Sequence, residues 1–228
     1  MKKIRLKNII AIFAILFLFS GCRWDSSNSS VEQRPSLNED NIINSASEEV
    51  ALEPTQFSEG IVTEDIVVEV EDKDNTVVAQ SVIPESTQFV NSNGDEVDTP
   101  PVVSIALKES VEEEVDDGKK IVKSVVQTNL QILNDDGDKL IPSEPINVKV
   151  KAPEGTKAGD KVKVYIPDDA TVSTKMTLSQ EKLVIVTVGA DGYVNVIIIP
   201  QIFKDETVVV ILIERVDEIP ITGGTGGN

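Results

Sequence analysis

The chain has 228 residues, with 39 Asp+Glu against 21 Lys+Arg, a formal charge of −18, one Cys and no His. A surface this acidic repels nucleic acid and anionic headgroups, which argues against both as partners. Without His there is no imidazole base, no imidazole metal ligand and no His-containing triad, and a lone Cys leaves no intrachain disulfide.

The first segment carries Lys2, Lys3, Arg5 and Lys7, then an unbroken apolar stretch from Ile9 to Phe19. As a helix those eleven residues rise only about 16 Å, short of the ~30 Å hydrocarbon core, so the pattern reads as an export signal and not as a membrane span. It ends Phe19-Ser20-Gly21-Cys22. Two small residues before a cysteine resemble the lipobox of bacterial lipoproteins, with Phe19 where that family usually has Leu, Val or Ile. The resemblance covers residues 1–22. It implies cleavage between Gly21 and Cys22 and acylation of the Cys22 thiol, hence a lipid bilayer as partner and a lipid-anchored place in the bacterial envelope. Each buried methylene contributes about 0.8 kcal/mol, so two or three acyl chains hold firmly. Arg23 follows, where Gram-negative lipoproteins kept in the inner membrane carry Asp, which favours the outer membrane. Residues 1–21 hold four of the positive charges and no negative one, so the mature chain carries 17 Lys+Arg against 39 Asp+Glu, a charge of −22.

From residue 22 to 57 the composition turns to Ser, Asn, Glu, Gln and Pro, in "DSSNSS", "RPSLNEDN" and "SASEE". No hydrophobic period is sustained, and the expectation is a disordered tether with a root-mean-square reach of about 30–35 Å, allowing at most a short helix around 42–52. The last residues, 217–228, are expected to be a flexible tail.

Between tether and tail, 58–216, Val- and Ile-rich runs follow one another with no helical pattern between them. "INVKVK" and "KVKVYI" alternate strictly, as strands with one wet face do, whereas "TVVVILI" is apolar on both faces and belongs at the centre of a sheet. These runs predict an all-β fold, an antiparallel β-sandwich as one large unit or as two small ones in tandem, 58–110 and 119–216. Asp191-Gly192, between two alternating runs, predicts a hairpin. "EEEVDDGKK" reads as a solvated hairpin tip. An internal echo supports two related units: "TQFVNSNGDEV" and "LQILNDDGDKL" align at an offset of 43, pairing Gln88 with Gln131, Asn91 with Asn134, Gly94 with Gly137 and Asp95 with Asp138. The first unit, through Val82, Ile83, Pro84, Thr87, Phe89 and Gly94, resembles the ZU5-like β-sandwich repeats of bacterial surface and exported proteins. That likeness, over residues 60–107, implies a structural or adhesive module and carries no catalytic residues.

Chemistry-bearing patterns are sparse. Asp135, Asp136 and Asp138 are the candidate calcium ligands, but aligning Gly137 with the glycine of a helix-loop-helix calcium loop puts Ile132 at its first position and Ser143 at its last, so the bland reading of turn geometry is preferred. Ser179 and Lys182 have the S-x-x-K spacing of penicillin-recognising enzymes without the companion S-D-N and K-T-G elements. No enzyme activity and no cofactor are expected. The expected function is a non-catalytic structural or adhesive lipoprotein whose partners are envelope or extracellular proteins or glycans. The alternative is a small-ligand or glycan binder, for which Phe57, Phe89, Tyr165, Tyr193 and Phe203 are the aromatic candidates.

Overall fold

The structure is a computed structural model that describes residues 35–166, 171–172 and 182–220. After a 3-10 turn at Glu39–Asn41 come β1 (Ile42–Ala51), β2 (Phe57–Ser58), β3 (Ile61–Val62), β4 (Ile66–Glu71), β5 (Val77–Ile83) and β6 (Phe89–Val90). The long strands β7 (Val102–Asp116) and β8 (Lys119–Leu133) follow, then β9 (Ile141–Pro142), β10 (Ile146–Lys151), β11 (Lys161–Ile166) and β12 (Thr171–Val172). The chain continues through β13 (Lys182–Thr187), β14 (Tyr193–Ile198), a short helix α1 (Pro200–Asp205) and β15 (Val209–Pro220).

Two antiparallel sheets face each other: a six-stranded sheet in the order β1-β7-β8-β15-β11-β13 and a five-stranded sheet in the order β12-β14-β10-β5-β4. The core lies between them. From the larger sheet it takes Val103, Ile105, Leu107, Leu130, Val164, Ile211 and Ile213, and from the smaller one Val68, Ile83, Ile146, Val148, Val150, Val196 and Ile198. The alternating segments behave as read. Ile146, Val148 and Val150 of β10 are buried, as are Val162, Val164 and Ile166 of β11. β15 is central, between β8 and β11. Its second apolar face is needed because Leu212 packs with Val125, Tyr165 and Leu37 in a small cluster on the outside of the sheet.

Three expectations are corrected, and of the two arrangements left open, one unit or two, the structure has one. The tether does not extend to residue 57: Ile42–Ala51 is neither coil nor helix but an edge strand whose residues 42–51 pair with 110–102 of β7. It buries no residue completely, since only Ala46 and Val50 pack against the core, so its polar composition conceals a strand. Residues 217–220 are not a flexible tail, because β15 runs to Pro220, paired with Lys119.

Asp191-Gly192 is not a hairpin between neighbouring strands. The turn closes through Gly192 N–H to Gly189 O (3.0 Å) and Gly189 N–H to Tyr193 O (3.0 Å), but β13 before it lies in the six-stranded sheet and β14 after it in the other. Facing one another across the core, Val184, Val186 and Val188 are buried on one side and Val194, Val196 and Ile198 on the other, which side-by-side pairing would not achieve. The two-residue hairpin is at Asp117-Gly118, φ +41° and +72°, between β7 and β8, as the "EEEVDDGKK" tip implied.

Finally, 58–110 and 119–216 are not separate units. β5 of the first lies between β4 and β10, and β7 pairs with β8 along fifteen residues. Residues 34–228 cluster as a single unit. The 43-residue echo is nonetheless real as local geometry. Asn91 N–H bonds Asp95 O and Asn134 N–H bonds Asp138 O (both 2.9 Å), Gly94 and Gly137 N–H close onto Asn91 and Asn134 O (both 3.0 Å), and Val97 and Leu140 N–H bond Phe89 and Ile132 O. Each echo is an arch. One runs from β5 into β7, the other from β8 into β10, so they cross the sandwich in opposite senses and interlock.

Candidate functional site

Gly21 and Cys22 lie outside the described residues, as do Ser179 and the last residues of the chain, 221–228. Asp135, Asp136 and Asp138 do fall together in one exposed turn, but the turn spends its best oxygen on itself. Asn134 Oδ1 accepts from Asp136 N–H (3.0 Å) and Asp138 N–H (2.8 Å), while Asn134 Nδ2 reaches Asp138 Oδ2 (3.4 Å). Asn91 makes the same two backbone bonds, to Asn93 and Asp95. Asp72 makes them too, to Asp74 and Thr76. Among the described residues no three His, Cys, Asp or Glu side chains converge as a metal site.

The aromatic candidates are mostly interior. Phe57, Phe89, Tyr165 and Phe203 are buried, and the Phe57 and Phe89 rings pack against each other with centroids 6.0 Å apart. Tyr193 is half-buried, its hydroxyl donating to Val77 O and its ring covered by the Lys149 ammonium at 4.5 Å. No two of them form an exposed stacking platform.

The concave feature of interest is a cleft of about 580 Å³ at one end of the five-stranded sheet. Its floor is built from the β4–β5 turn (Asp72, Lys73, Asp74, Thr76), the end of β10 and the segment after it (Lys151–Thr156) and Asp191–Tyr193, and its wall from Glu109 of β7 and Asn44 of β1. Three chemical facts define it. Glu109 is half-buried beside Val78, Leu107, Val126 and Ala152, and burial raises its carboxyl pKa even though its Oε1 accepts the Glu154 N–H at 2.6 Å. Asp191 is held ionised, below the usual carboxylate range, chiefly by its bond to Lys149 (2.7 Å). Asp72 is lowered as well, first by the Thr76 N–H of its own turn. Five carboxylates and two lysines, Lys73 and Lys151, thus line a wet, mixed-charge cleft suited to holding polar or cationic groups.

Above the cleft the larger sheet outruns the sandwich. β1 stops pairing at Ser110 and β11 at Glu214, so residues 111–116, 119–124 and 215–220 continue as a three-stranded tongue. Arg215 on its inner face reaches Glu154 O (3.4 Å) at the cleft edge and pairs with Asp217 (2.8 Å). On the outer face Glu214 is buried, with Lys123 at 3.5 Å, Lys163 at 3.9 Å and the Tyr165 hydroxyl at 3.1 Å.

Sequence reading missed both cleft and tongue, though one signal was present. Val103, Ile105, Leu107 and Glu109 occupy successive inward positions of β7, and a glutamate in that series marks where the core gives way to a polar recess. No protein family, curated protein or solved structure matches this chain.

Proposed function

We propose that this chain is a lipid-anchored envelope protein whose β-sandwich is a non-catalytic structural or adhesive module. What carries the reading is the junction Ser20-Gly21-Cys22 after a basic and then apolar leader, with no other thiol in the chain. The fold is compatible with it. Sixteen residues separate Cys22 from the first element at Glu39, a span of at most about 55 Å when extended, which lets the sandwich stand clear of headgroups. Its partners are then envelope proteins or glycans met at the surface, and Arg23, where inner-membrane lipoproteins carry Asp, favours the outer membrane over the inner.

Substituting Cys22→Ser tests the anchor. The variant should lose radiolabelled fatty-acid incorporation and accumulate as an uncleaved or soluble exported form; continued labelling would refute lipidation. A second reading, a small polar ligand held in the cleft, is favoured by its volume and by Glu109 at its wall. It has no aromatic sugar platform to lean on, because four of the five candidate rings are buried.

A further inference from the structure

The tongue has two open edges, and they are not alike. Among the described residues, nothing pairs with 111–116 of β7 on the side that β1 leaves free, and nothing pairs with 215–220 of β15 on the side that β11 leaves free. The β15 edge is neutralised from within: Arg215 bonds Asp217 (2.8 Å), Lys119 bonds Glu218 (2.6 Å), and the strand closes on Pro220, which has no N–H to offer. The β7 edge is not neutralised. Among the described residues, of Glu112, Glu113, Glu114, Asp116 and Asp117 only Glu113 makes an ion pair, with Lys120 at 2.8 Å; Lys123 and Lys119, opposite Glu112 and Asp116 in the ladder, bond Glu214 and Glu218 instead.

Pairing within the tongue sorts these side chains by face. Val111, Glu113 and Val115 share the inner face with Glu109, while Glu112, Glu114 and Asp116 share the outer one. Val115 is 69% exposed. The edge therefore presents unpaired backbone groups, a row of carboxylates without ion pairs of their own on one face, and aliphatic surface on the other. Like charges set opposite one another are unfavourable, so a second copy of this strand is a poor partner for it.

From this the geometry points to a docking site for a partner's extended segment that carries Lys or Arg at alternate positions with aliphatic residues between them, added to β7 in line with β1. Ladder hydrogen bonds supply the affinity of such strand addition, and the alternating side chains supply the choice of partner. The cations meet Glu112, Glu114 and Asp116. The aliphatic groups cover Val111 and Val115 beside the cleft. The site does not depend on lipidation at Cys22 and goes beyond it by naming the chemistry of the partner.

The test uses the full chain and a capped peptide of four Lys-Val repeats, with two controls: the same peptide N-methylated at alternate residues, and four Glu-Val repeats. The expected result is saturable binding of the Lys-Val peptide, weakened by salt, with new hydrogen-exchange protection confined to the amides of 111–116. The N-methylated and Glu-Val peptides should not give that protection. In the double variant Glu112→Lys/Glu114→Lys, affinity for the Lys-Val peptide should fall about tenfold or more, as two rim charge contacts imply, and the Glu-Val peptide should now bind. Equal binding of the methylated peptide would reduce the effect to unspecific charge attraction. That outcome, protection elsewhere, no binding at low salt, or a dimer of this chain protected at 111–116 instead, would each overturn the proposal.

Discussion

At the scale of single residues, the chemistry of this chain lies in oxygens whose partners decide their role. Asn134 shows it, since its side chain closes the turn by accepting two backbone N–H groups and leaves the neighbouring aspartates as solvated bystanders. Gly137 sits at φ +83° with open space around it, so a Cβ would meet no neighbour and the whole penalty of Gly137→Val is conformational. We expect a loss of about 1–2 kcal/mol in denaturant unfolding, unchanged by calcium, while Asp135→Asn with Asp136→Asn should shift stability by less than about 0.5 kcal/mol. A calcium-dependent rise in melting temperature that the double Asn variant abolishes would show that the turn holds a cation after all. Glu109 is the opposite case, a carboxyl that burial disfavours when charged. Below the ordinary value of 4.5 the folded and unfolded chains both hold its proton. Between there and the raised folded pKa only the folded chain does, so stability falls as pH rises through that window and then levels off. Glu109→Gln keeps an acceptor for the Glu154 N–H and removes the titration. Relative to wild type it should gain stability across that window and hold the gain at neutral pH; parallel melting curves at every pH would show that Glu109 is effectively solvated.

At the scale of elements, legibility follows burial. Strands with a clean alternation of two faces, β10 and β11, can be read directly because every second residue is core, and β15 is recognisable as central because both its faces are covered. β1 escapes the same reading for a physical reason. An edge strand buries little, so Ser45, Ser47, Glu48 and Glu49 sit in it at no cost, and pairing with β7 supplies the order that composition does not advertise. The helix α1 was equally silent: six residues starting at Pro200, without a side-chain cap, formed because Ile202 and Phe203 are drawn into the core. β1 also closes the side of the sandwich, since Leu52 just beyond it is buried and Leu52 N–H bonds Pro101 O (3.0 Å). Limited proteolysis should therefore leave a resistant fragment that begins at or before Ile42, and not near residue 55 as a tether ending there would give. Mass spectrometry of the fragment decides between them. A fragment starting beyond Ala51 would mean that β1 is held too weakly to count as part of the unit.

At the scale of the molecule, the echo in the sequence shows that two stretches repeat a turn, but not that they are arches within one unit or how they are joined. The offset of 43 is visible because each arch needs the same Asn and Gly at its turn, whereas the pairing of β5 with β10 and of β7 with β8 depends on long-range contacts that leave no local trace. That pairing has a consequence for folding. Cutting the chain between 110 and 119 would remove the β7–β8 ladder, strip β5 of one neighbour, and expose Ile105, Leu107, Leu130 and Ile132, all now buried. Neither piece keeps two complete sheets, so neither can bury a core of its own. Expressed separately, 58–110 and 119–216 should each show no cooperative thermal transition, and the intact chain should unfold in one step with coincident circular-dichroism and fluorescence curves. If the two fragments mixed together recover a cooperative transition that neither shows alone, the interlocked arrangement is directly supported, because association restores both ladders at once. If either fragment melts cooperatively by itself, the arches are independent modules, and the sandwich is assembled by docking them, not by interleaving.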